Sequence, residues 1–83
     1  MHAARAGVDA EALLRLTRES IRRRHRRVAV QRFLRLQACG CAIPEDCRSY
    51  CEAVLRTLPE PDYRRMRSAV EAWADLLEEP AFA

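Results

Sequence analysis

SIRRRHRRVAVQRFL, residues 20 to 34, is the stretch that decides the fold of this 83-residue chain. Upstream and into it, Ala10, Leu13, Leu14, Thr17, Ile21 and Val28 share one stripe of a helix that turns about 100° per residue. Downstream, Val30, Phe33, Leu34 and Gln37 lie on the roughly opposite side. Either the helix breaks near residues 24 to 27, or one long helix shows its two halves to two different surfaces. No Pro or Gly interrupts residues 8 to 39, and helix breaks usually have a named cause, so the sequence favours continuity. A helix from about 9 to 39 would be roughly 45 Å long.

The ends of that helix are well marked. Asp9 is a good N-cap, Glu11 sits in the first turn, and Val8 with Leu13 suit a hydrophobic staple. Gly40 is the C-terminal stop. A second helix is expected over about 44–58, opened by Pro44 with Glu45 and Asp46 behind it. Its apolar positions are Ile43, Cys47, Tyr50, Cys51, Val54, Leu55 and Leu58. The PEP at 59–61 ends it. A third helix follows over about 61–79, with Tyr63, Met66, Val70, Trp73 and Leu77 as its stripe, Leu76 beside it and Pro80 as its stop. The expected fold is therefore all-α, a single small domain over 1–83. A long first helix lies across an antiparallel pair, whose short connection requires that direction.

A chain this short buries a modest core, worth about 3–5 kcal/mol net, so a staple or a partner would matter. Only Gly7 and Gly40 are glycines, which excludes a glycine-rich phosphate loop. No apolar run approaches the roughly 18 residues that span a bilayer, so no membrane is expected. The N-terminal residues lack the apolar block of a secretory signal, and the expected address is cytoplasmic, where thiols stay reduced.

Charge divides along the chain. All fifteen basic residues are arginine. Residues 1–40 carry ten of them against three acids, net +7, and residues 41–83 carry five against nine, net −4. Arg15, Arg18, Arg22 and Arg26 line one face of the first helix, a row that suits phosphates. No helix-turn-helix, ribbon-helix-helix or finger signature surrounds it, and Phe33 is the one aromatic nearby. The plain alternative is a solvated face paired within itself, as Glu11–Arg15 and Glu19–Arg23 would be.

All four cysteines, Cys39, Cys41, Cys47 and Cys51, fall within 13 residues. Four thiolates could complete a tetrahedral zinc site, and zinc is the one cofactor this set would suit, but the usual C-x2-C knuckles are absent. One or two disulfides would clip the first helix to the second. Cys47 and Cys51 also share a stripe with Val54 and Leu58, where cysteine serves as a small buried hydrophobe. CGCAIPEDC, residues 39–47, resembles the last three positions of the C-x2-C-x-C-x5-C cluster loop of redox-sensing regulators of the MerR family. Leu36 stands where that pattern has its first cysteine, no DNA-binding domain is expected in residues 1–38, and an iron–sulfur function does not carry over.

His25 lies among arginines with no catalytic partner, and the carboxylates are scattered over helix surfaces, so no enzyme activity is expected. The expected function is a small helical module that binds another protein as regulator, adaptor or inhibitor. Leu13, Leu14, Thr17, Ile21 and Val28 would form its contact stripe, with Arg24 drawing an acidic surface. That stripe would also pair with its copy in a homodimer. A nucleic-acid binder using Arg15 to Arg27, stapled by zinc, is the first alternative. A metal or redox sensor built on Cys39 to Cys51 is the second.

Overall fold

The computed structural model describes residues 9–78. It is all-helical, with α1 at Ala10–Arg22, α2 at Arg26–Ala38, α3 at Glu45–Leu55 and α4 at Glu60–Glu78. Asp9 caps α1 as expected, its carboxylate accepting from the Ala12 amide at 3.0 Å. Pro44 stands just outside α3, extended at ψ 150°, with Glu45 as the first helical residue. Val8, Glu79 and Pro80, which the sequence assigned to a staple, a helix end and a stop, lie outside the described residues.

The long first helix is two helices. The chain breaks at Arg23–His25, and Arg24 takes the left-handed conformation with φ 63°. The His25 amide donates to the Ser20 carbonyl at 2.9 Å, and the Arg24 amide to Ile21 at 3.0 Å. This is a Schellman closure with arginine where glycine is usual. The second closure in the chain, at the end of α2, has the same bonds and carries Gly40 at φ 73°. There the Cys41 amide reaches Leu36 at 3.1 Å and the Gly40 amide reaches Gln37 at 3.0 Å. The shift in phase between the two stripes was the mark of this break.

The break folds α1 back along α2. Arg32 of α2 donates to the Leu16 carbonyl at 3.1 Å and to the Ser20 hydroxyl at 2.8 Å, which fixes the pair as antiparallel. Thr17 and Ser20 are buried against α2, and each hydroxyl is satisfied by the carbonyl four residues back.

Three neighbours pack on α2, which supplies half of the buried apolar residues among those described: Ala29, Val30, Phe33, Leu34 and Leu36. At about 100° per residue these buried positions share one broad face of α2, and Val28 and Arg35 lie on the opposite side. Cys51 and Val54 of α3 and Val70 of α4 join Ala29, Val30, Phe33 and Leu34 in the main cluster. Each large side chain so buried contributes about 1.5–3 kcal/mol before entropy is subtracted. α3 runs antiparallel to α2, its Cys51 thiol 3.8 Å from the Ala29 carbonyl. α4 runs parallel to α2, with Asp62 on Arg27 near their starts and Trp73 on Arg35 a few turns on. α3 and α4 are thus antiparallel, and α2 lies across both, as expected of the second half of the first helix. No helix among the described residues is long and apolar enough to cross a membrane.

Candidate interaction surface

The arginine run meets the chain's own acids. Arg18 donates to Asp46 at the start of α3, at 2.9 Å. That bond holds the Asp46 carboxyl below its ordinary range and the Arg18 guanidinium above its own. Glu19 takes both Arg22 and Arg23. Arg27, in the first turn of α2 where the helix dipole disfavours a cation, is met by Asp62 at 2.8 Å. The row expected for phosphates is interrupted: Arg15, Arg18 and Arg22 stay on α1, and Arg26 begins α2. Exposed pairs such as these add little stability; within the row Arg18 and Arg22 are paired, and Arg15 and Arg26 form no ion pair among the described residues.

The four cysteines do not converge. All are thiols, and no group of three or more His, Cys, Asp or Glu among the described residues could hold a metal ion. Cys39, Cys47 and Cys51 are buried and Cys41 is half-buried. Burial pushes the Cys51 thiol up to about 12, the nearby Cys47 adding to it, and burial also raises Cys47. Thiols held protonated in this way are poor nucleophiles and poor metal ligands.

The contact stripe read from the sequence separates. Thr17 is fully buried, Leu13, Leu14 and Ile21 are half-buried, and Arg24 and Val28 remain exposed. With α1 folded back, α2 and α3 cover most of what a straight helix would have left in water. The large apolar side chains left exposed among the described residues are Leu16 at 47%, Val28 at 41% and Leu76 at 70%. Sequence reasoning missed Leu16, because a continuous helix turns it to the charged side. Arg35 also stands out: its guanidinium lies over the Trp73 ring at 4.9 Å, and its Nε is buried with no hydrogen-bond partner. No protein-family model matches the chain, and no curated protein or solved structure matches it either.

Proposed function

We propose that the chain is a small non-enzymatic helical module that binds another protein, as a regulator, adaptor or inhibitor. The observation that carries this reading is the exposure of Leu16, Val28 and Leu76 on a domain whose own carboxylates pair Arg18, Arg22, Arg23 and Arg27. Exposed apolar side chains favour a dry protein contact over a hydrated phosphate backbone.

Photo-crosslinking tests it. A benzophenone amino acid is placed at position 16, 28 or 76 and, as a control, at Ala53, which is exposed on α3. Illumination in the source cells is expected to give discrete protein adducts from the first three positions and none from the fourth. Adducts to nucleic acid alone, or no adduct at any position, would overturn the reading.

A further inference from the structure

The three exposed large apolar side chains point to one side of the molecule. Around α2, shared clefts and hydrogen bonds define three directions. Arg26 borders Val54, Thr57 and Leu58 at the end of α3. Leu34 and Ala38 face α4 at Val70. Arg32 faces α1 at Leu16 and Ser20. At about 100° per residue, α1 and α4 then lie on opposite flanks of α2, with α3 between them on one side. α1 packs on both α2 and α3, whereas α4 packs chiefly on α2. The side of α2 opposite α3 is left open, and Val28 and Arg35 project into it.

The flanking helices turn their exposed residues the same way. On α1, Arg18 reaches toward α3, so Leu16, about 160° away from it, projects to the open side. On α4, Arg67 and Glu71 border the edge near Gln37, on the α3 side, whereas Arg65 borders Gln31 on the other. Leu76 lies three turns beyond Arg65 on that second edge, with Trp73 inside it. The open side is therefore a trough with α2 as its floor. Leu16 stands on one wall, and Trp73 and Leu76 stand on the other.

Its charge selects the occupant. The Arg24 guanidinium has no partner among the described residues, and the Arg35 guanidinium lies over Trp73 with no carboxylate paired to it. Asp62, near the trough, is already held by Arg27 and Arg65, and Glu19 by Arg22 and Arg23. A second copy laid face to face would set these arginines against their own kind. A partner with leucine-type anchors flanked by carboxylates would complement both the apolar and the basic groups.

We infer that the trough between α1 and α4 binds an amphipathic helix with an acidic border, supplied by another protein. The helix would lie on α2 opposite α3 and complete its enclosure. This rests on the protein-binding reading above and specifies its site and its partner.

Trp73 is the chain's one tryptophan and stands on the trough wall, so its emission reports occupancy. The probe is a synthetic helical peptide with leucines at i, i+3, i+4 and i+7 bordered by glutamates, compared with the same peptide carrying glutamine for glutamate. The expected result is a saturable shift in Trp73 emission with the acidic peptide and at least ten-fold weaker binding of the neutral one. Leu16→Ser and Leu76→Ser, both at exposed sites and checked for helicity, are each expected to weaken the acidic peptide at least five-fold. Equal affinity for the two peptides, or no binding of either, overturns the inference. Unchanged binding by both variants removes this face while leaving protein binding elsewhere intact. A dimer that Leu76→Ser dissociates assigns the trough to a second copy. Displacement of the peptide by an equal concentration of duplex DNA or RNA assigns it to nucleic acid. Either of those results overturns the inference as well.

Discussion

Arg24 and Gly40 occupy the same position in two copies of one helix-ending motif, with φ 63° and 73° and the same pair of backbone bonds closing each. A left-handed backbone costs a residue with a Cβ about 1–2 kcal/mol and costs glycine little. Gly40 ends α2 at almost no conformational expense. Arg24 is held in place by the packing it permits, because α1 folds onto α2 only if the chain turns there.

The two positions should respond oppositely to substitution. Arg24→Gly is expected to raise stability by about 1 kcal/mol, reduced somewhat by the greater freedom of glycine in the unfolded chain. Gly40→Ala is expected to lower it by about 1 kcal/mol. A Cβ at Gly40 meets nothing within 4 Å, so that loss is conformational and not steric. Urea unfolding with an unchanged slope reads both. Shifts of the same sign would contradict the shared geometry.

Arg32 ties the hairpin together. Arg32→Met keeps much of the apolar stem but loses the donors to Leu16 and Ser20, and is expected to cost about 1–2 kcal/mol. Ser20→Ala should cost less, because Arg32 keeps its bond to the Leu16 carbonyl. Thermal unfolding of the two variants gives the order, and a reversed order would contradict this geometry.

The buried thiols predict alkaline sensitivity. The Cys51 thiol is raised to about 12, so the folded chain holds the neutral form over a range where the unfolded chain ionises, from about 8.5 upward. That contribution is full below the unfolded value and is lost as pH rises through the folded one. Stability is expected to fall between about pH 9 and 12. The quantity to read is the difference between the parent and Cys51→Ala, whose own profile should be flatter. Parallel profiles would contradict a buried neutral thiol.

Accessibility ranks the cysteines for alkylation. Cys41 is half-buried, whereas Cys39, Cys47 and Cys51 are each exposed by less than 5%. Iodoacetamide at neutral pH, followed by intact mass, is expected to add one label quickly, at Cys41, and further labels only as the chain opens. Fast labelling at Cys47 or Cys51 would contradict the packing.

Helix starts and the glycine stop were readable because their signals are local: the Asp9 carboxylate, the Pro44 ring, the acids behind each, and Gly40. The Arg24 turn was not, since arginine carries no preference for a left-handed backbone and the stabilising contacts lie across the hairpin. Its trace was indirect, in apolar stripes that lose phase near residue 28. The same omission displaced the candidate surface. A straight helix groups Val28 with Ile21 and hides Leu16 among charges. The folded hairpin buries Thr17, half-covers Leu13, Leu14 and Ile21, and leaves Leu16 and Val28 exposed. The cysteines read equally well as ligands or as core, because spacing along a loop and a helix says nothing about convergence in space.

The hairpin is what makes the trough, and one measurement tests it most directly: the nuclear Overhauser spectrum of the labelled protein between residues 20 and 32. With Arg32 donating to Ser20 at 2.8 Å, cross-peaks between their side chains are expected, together with an interruption of sequential helical contacts at Arg23–His25. An unbroken helix places these residues about 18 Å apart along its axis. Absence of those cross-peaks, with helical contacts continuous through Arg24, would contradict the hairpin and the docking surface built on it.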